Sequence, residues 1–162
     1  MLRKLLLAGA VLAASLTPIS AKNLAVPEKS PIATIVIPDK WKPEEIQYGY
    51  SAKSPDGDIF FSVEYANAAR IDKMFALNNQ WMKENKIKIK SDAREREFEV
   101  GGLPAKIMSY DATDENGDTK IDFVMIPAGK QLILITIWGS AEEREANKDD
   151  ILAIQQSLKA IN

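Results

Sequence analysis

Apolar and polar positions alternate with a period of two over most of the chain and change to a helical period in two stretches only. Residues 33–37 are β-branched and short, stop at Pro38, and precede Asp39, Lys40, Trp41, Lys42 and Pro43. This predicts a first strand and a loop built around one large aromatic. Residues 46–53 and 58–66 are rich in aromatic and β-branched side chains, and Ser54, Pro55, Asp56 and Gly57 lie between them, so they are expected to pair as a hairpin. Over residues 70–86 the period changes. Ile71, Met74, Phe75, Leu77, Asn78, Trp81 and Met82 recur at spacings of three and four, which predicts an amphipathic helix. Residues 87–90 and 93–100 return to alternation, Gly101 and Gly102 break the chain, and residues 103–113, 119–128 and 130–139 read as three further strands. The connections at 114–118 and 128–130 suit hairpins.

The last of these strands, Leu132 to Trp138, is apolar at both alternating sets of positions, which a strand tolerates only where both faces are covered. Ser140 followed by Glu143 is a capping box and starts a second helix. That helix is expected to run to the end of the chain, with Ile151, Ile154, Leu158 and Ile161 as its apolar stripe and Leu152 at the edge. Sequential hairpins imply a mainly antiparallel sheet, and two helices need surfaces on which to bury their stripes. The predicted class is therefore α+β: an α/β/α sandwich with a sheet of about six or seven strands and one helix on each face.

Met1, Leu2, Arg3 and Lys4 form a positive head, residues 5–16 are an unbroken apolar and small run, and Thr17 to Ala21 close it with a helix breaker and a small residue. This pattern predicts a cleavable secretory signal over residues 1–21, because the apolar run of 12 residues falls short of the roughly 20 that a spanning helix needs. Residues 22–31, with Pro27 and Pro31, read as an extended leader, and residues 32–162 as one domain. Loss of the signal leaves 19 basic and 23 acidic side chains, a balance that does not suggest nucleic acid. The chain has no His and no Cys, which excludes the usual zinc, haem and iron–sulfur ligation, the Ser-His-Asp triad and the Cys nucleophile. No lipid can be attached at a Cys after cleavage, so no stable membrane anchor is expected; the protein should be soluble in the periplasm or outside the cell.

Trp41 after the first strand, the Asp56-Gly57-Asp58 turn, Gly102-Leu103-Pro104-Ala105 leading into a strand, and a terminal helix with Ile151 and Leu158 together resemble the PsbP-like superfamily. Within it the likeness is to the bacterial exported DcrB-like branch. The superfamily also includes an extrinsic subunit of photosystem II and a Ran-binding nuclear import factor, and the resemblance covers roughly residues 32–162. It implies an α/β/α sandwich serving as a binding or assembly accessory, with no common catalytic residue to carry over. The absence of Cys departs from the lipoprotein members of the branch.

Several groups invite a functional reading. Asp111, Asp114, Glu115, Asn116 and Asp118 form an oxygen-rich turn of the kind calcium prefers. In an EF-hand register, however, the end positions fall on Ala112 and Phe123, so a solvated Asn-Gly hairpin turn is the simpler reading. Lys86, Lys88 and Lys90 alternate with Ile87 and Ile89 and could meet phosphates, a lipid surface or an acidic partner, though charges at a sheet edge also guard it against pairing. Trp41, Tyr48 and Tyr50 could line an aromatic recess, with Tyr48 and Tyr50 expected on one strand face, or could simply pack in the core. No Ser is followed three residues later by Lys, no phosphate loop is present, and Asp56 with Asp58 forms a solvated pair unsuited to acid and base roles. The sequence thus predicts a non-enzyme without catalytic, cofactor or metal residues. Its candidate binding surface is Trp41, Tyr48, Tyr50, Lys86, Lys88 and Lys90, and its expected partner another protein. The alternative is a periplasmic small-ligand carrier with a pocket between sheet and helix, and a hydrolase using carboxylates is a distant third.

Overall fold

The computed structural model describes residues 20–161. The predicted secretory signal, residues 1–21, falls outside the described residues apart from Ser20 and Ala21. In chain order the elements are β1 (Ala21–Val26), β2 (Ala33–Pro38), a 3-10 turn (Asp39–Trp41), β3 (Glu44–Ile46), β4 (Gly49–Lys53), β5 (Phe60–Asn67) and α1 (Ile71–Glu84). There follow β6 (Lys88–Ile89), β7 (Arg94–Val100), β8 (Leu103–Asp114), β9 (Gly117–Ala128), β10 (Gln131–Gly139), α2 (Ala141–Ala146), α3 (Lys148–Gln156) and β11 (Lys159–Ala160).

The main sheet has eight strands in the order β3-β4-β5-β10-β9-β8-β6, with β7 also pairing to β8, and a smaller sheet has the order β1-β2-β11. Every pairing is antiparallel. The α+β class and the antiparallel sheet agree with the sequence, whereas the expected six or seven strands become eight plus three. Three strands are not legible in the sequence: β1, β3 and β11, the last falling where a helix is expected. β1 pairs along its whole length with β2, although its first half is exposed and lacks alternation. β3 separates from β4 through Gln47 and Tyr48, which lack the Asn-Gly or Asp-Gly chemistry of the favoured hairpin turns.

The central strand β10 shows why the layers form. Ile133, Ile135 and Ile137 point into one buried cluster with Ile35, Ile37 and Trp41, where Ile151, Ile154 and Leu158 also lie. Leu134 packs on the opposite side with Met74, Ala66 and Tyr48, and Trp138 packs against a cluster at Ile121 and Ile87. One face of the large sheet is thus covered by α1. The other is covered by the small sheet together with α3, not by a helix alone: β2 buries Ala33, Ile35 and Ile37 in strict alternation and joins α3 where Val36 N donates to Ser157 Oγ at 2.8 Å.

The capping box forms as expected, with Glu143 N donating to Ser140 Oγ at 3.2 Å and Ser140 N donating to Glu143 Oε2 at 2.6 Å. The single terminal helix does not. It breaks at Asn147 into α2 and α3, and Leu158 and Ile161 lie beyond the last helical residue. Leu158 is buried while Ile161 is exposed. At the turn between β7 and β8, Gly101 has φ +59°, and a Cβ there would lie 1.9 Å from the Leu158 carbonyl oxygen; only glycine allows the chain terminus to pack so closely.

Candidate functional site

The six residues marked from the sequence go to four different places. Trp41 is fully buried in the core, and its Nε1 donates to Asp150 Oδ2 at 3.0 Å. Lys40 Nζ lies 2.6 Å from the same oxygen. Burial pushes the Asp150 carboxyl up, but the hydrogen bonds from Lys40 and Trp41 prevail and hold it below the ordinary range. The shallow recess beside Trp41 has Lys42 and Lys53 facing Glu44 and Asp56, a mixture of signs that selects no ligand charge. Tyr50 packs against the same core from β4 and lines a second recess with Glu28, Lys29 and Glu45. Burial, followed by the charges of Glu28 and Glu45, raises its phenol pKa.

Tyr48 does not share a face with Tyr50. It sits in the turn before β4 and is buried with Met74 and Leu134 on the α1 side. The three aromatics therefore form no common recess.

The lysines form no single row either. Lys86 lies outside β6 with φ +55° and pairs with Glu115, Lys88 is paired through its backbone with Thr113 at the sheet edge, and Lys90 Nζ lies 2.8 Å from Asp118 Oδ1. Arg94 contacts Asp111 through two bonds of 2.6 and 3.0 Å, and these hold the Asp111 carboxyl below its ordinary range. Asn116 N donates to Asp114 Oδ1 at 2.7 Å. Lys86, Lys90 and Arg94 are thus each paired with an acid, and no group of three or more His, Cys, Asp or Glu suited to a metal occurs among the described residues.

A different place combines shape with unspent polar groups. Between the β3–β5 part of the sheet and α1 lies an open groove of about 330 Å³. Its walls are Tyr48, Phe60, Leu77 and Trp81, with Phe60 stacked on Trp81 at 4.4 Å between ring centroids. Glu64, Ser62 and Asn78 also line it, and all three are buried, Glu64 being only 5% exposed. Strand alternation places Phe60, Ser62 and Glu64 on the same side of β5, and α1 lays Leu77, Asn78 and Trp81 over them at helical spacing.

Asn78 Nδ2 donates to Glu64 Oε2 at 2.9 Å and to the Met74 carbonyl at 3.1 Å. Among the described residues Glu64 has no Lys or Arg partner. Burial raises its pKa, against the smaller opposing effects of Asn78 and Ser62. Ser62 Oγ, near enough to favour the charged carboxylate, makes no well-formed hydrogen bond of its own, and neither does Thr136 Oγ1, directly across the strand pair from Ser62. Gly49 stands opposite Glu64; a Cβ there would lie 2.0 Å from the Val63 carbonyl oxygen, so glycine lets β4 close the edge of the groove. With one carboxyl, no second acid and no cation in its lining, the groove lacks the paired groups of general acid–base catalysis but has the mostly apolar walls and few polar groups of a binding site.

Neither Glu64 nor the groove was marked from the sequence. The available signal was a pair of polar residues, Ser62 and Glu64, inside a strand otherwise rich in aromatic and β-branched residues, paired with a Thr136 that interrupts an apolar run.

This layering of two helix-bearing or sheet-bearing covers on one antiparallel sheet is a PsbP-like fold. Among solved structures, the cyanobacterial PsbP (CyanoP) of Synechocystis sp. PCC 6803 matches with a TM-score of 0.59 at 10% identity, over 91% of this chain and 96% of that one. LpqN, involved in cell envelope biogenesis of Mycobacterium tuberculosis, matches with a TM-score of 0.51 at 11% identity, over 91% of this chain and 88% of that one. At such identities the likeness establishes the fold alone. No protein-family model matches the sequence, and no curated protein matches it significantly. Among the described residues no helix is long and apolar enough to cross a membrane.

Proposed function

We propose that the protein is an exported, non-catalytic binding or assembly accessory, of the kind found in the DcrB-like branch, and that it recognises a protein partner through the groove between β3–β5 and α1. The carrying observation is the groove itself: aromatic walls around a buried carboxyl that has no cationic partner. Such an arrangement is unfavourable for the isolated fold, since a buried charge needs a counter-charge, and becomes favourable when a partner supplies one. The neighbours with this fold, a cyanobacterial PsbP and a protein involved in cell envelope biogenesis, support an accessory role. Export rests on the sequence pattern of residues 1–21, and cleavage after Ala21 would leave residues 22–26 paired with β2.

The reading is tested by recovering the tagged protein from its native host after gentle cross-linking, beside a Gln47→Arg variant. Gln47 is exposed on the groove rim, so the substitution leaves the core intact while adding bulk and positive charge. One stoichiometric partner, recovered with the parent chain and lost with the variant, is the expected result. Equal recovery of that partner with both chains would overturn it. The open groove also admits a small-ligand carrier, for which the same preparation would yield a bound small molecule in the mass spectrum and no protein.

A further inference from the structure

Of the places where chemistry is concentrated, Lys86, Lys90 and Arg94 pair with Glu115, Asp118 and Asp111 of the acidic turn and its strand, and the recess at Trp41 mixes both signs. The groove under α1 presents one sign of charge, that of the buried Glu64. Asn78 donates to Glu64 Oε2, Ser62 Oγ lies close to the carboxyl without a well-formed bond, and no Lys or Arg among the described residues pairs with it. The rings of Phe60 and Trp81 stack on one wall, Tyr48 closes another, and no Lys or Arg belongs to the lining.

We propose that this groove binds a lysine side chain presented by a basic segment of the protein partner, with the ammonium on Glu64 Oε1 and the methylene stem between Tyr48, Leu77 and Trp81. This inference rests on the groove being the recognition site and names what it recognises. Three features select that group. A carboxylate in low dielectric attracts a cation far more strongly than it would in water, and a charge-assisted hydrogen bond supplies the missing partner. Aromatic faces attract an ammonium through their quadrupole. The apolar walls suit a four-carbon stem that carries its charge at one end. Asn78 already uses one acceptor site of Oε2, so the less engaged Oε1 suits the single-point contact of an ammonium better than the two-oxygen fork of a guanidinium.

The test uses the protein as its host produces it, isotopically labelled, titrated with Nα-acetyl-lysine-N-methylamide and separately with the norleucine analogue, which has the same stem length without the charge. Saturable amide shift changes at Ser62, Glu64, Asn78 and Trp81 are expected with the lysine probe at millimolar concentration, and at least tenfold weaker binding for norleucine. Glu64→Gln, which keeps size and burial, is expected to weaken the lysine probe at least tenfold without altering the spectrum elsewhere. Equal binding of the two probes, an unaffected Glu64→Gln variant, or no saturable shift in the groove would each overturn the inference. Its failure is distinguishable from failure of the groove as a recognition site. If Gln47→Arg abolishes partner capture while Glu64→Gln does not, the groove stands and the lysine does not; if neither does, both fall.

Discussion

Glu64 sets burial against charge within one side chain. It is buried on a central strand beside a helix, its pKa is raised by burial, and its one well-formed protein hydrogen bond comes from Asn78. The folded state therefore keeps the proton over a pH interval in which the unfolded chain has already lost it. Stability must then fall as pH rises from the ordinary carboxylate range through the raised value, and is greatest below that interval. Glu64→Gln removes the titration, so its stability relative to the parent should be higher at neutral pH than at pH ~4. Urea unfolding at both values measures this, and an equal difference at the two would show that Glu64 is not held protonated by burial. This residue was legible only weakly. A glutamate within a strand reads as a solvent-facing position by default, and what contradicts that default is the non-local arrival of α1, with Asn78 placed over it. Trp41, by contrast, was readable as a single large aromatic after a strand, but whether it would line a recess or fill the core depended on Asp150, far along the chain.

Among the elements, those set by neighbouring residues are legible in the sequence. The capping box at Ser140 and Glu143 forms both its bonds, so Ser140→Ala should cost about 0.5–2 kcal/mol in chemical denaturation, with Ser140→Asp restoring most of it. A loss near zero for Ser140→Ala would mean that α2 is held by packing alone. The break at Asn147 was not legible because its cause is distant: Asn147 Nδ2 donates to the Glu143 carbonyl at 3.1 Å and also to Asp56 Oδ2 at 3.2 Å, in the hairpin turn between β4 and β5. That same Asp56 is bonded by Ser54, and together these bonds hold its carboxyl below the ordinary range. A turn read correctly as a turn therefore also serves as the stop for a helix. β3 escaped notice for a similar reason, since the Gln47-Tyr48 turn is made possible by Gly49 and by Tyr48 burying its ring under α1 rather than by turn-forming residues. Gly49→Ala should disrupt the pairing of β4 with β5, visible as loss of hydrogen-exchange protection at Tyr50 and Tyr65, because its Cβ has no room beside Val63. Retained protection at both amides would show that β4 can shift to admit it.

For the whole molecule, the doubly apolar β10 foretold that layers must cover both faces of the sheet, and that requirement alone leads to a sandwich. Leu134 and Ile135 are both fully buried, in clusters on opposite faces. Alanine at either should cost about 2–5 kcal/mol; a near-neutral result at one of them in equilibrium unfolding would mean that its face is open. What covers each face was less legible, because the small sheet depends on β1 and β11, the first short of alternation and the second only two residues long. Lys86 and Lys90, prominent in the sequence, are paired with Glu115 and Asp118 in the fold, and the groove beneath α1 holds a buried carboxyl with no Lys or Arg partner among the described residues. The most direct test of that placement is site-specific photo-cross-linking in the native host, with the photoreactive residue at Gln47 on the groove rim in one strain and at Lys88 on the opposite sheet edge in another. A single discrete protein adduct from position 47 and none from position 88 is expected. An adduct from position 88 alone, or from neither, would contradict recognition through the groove.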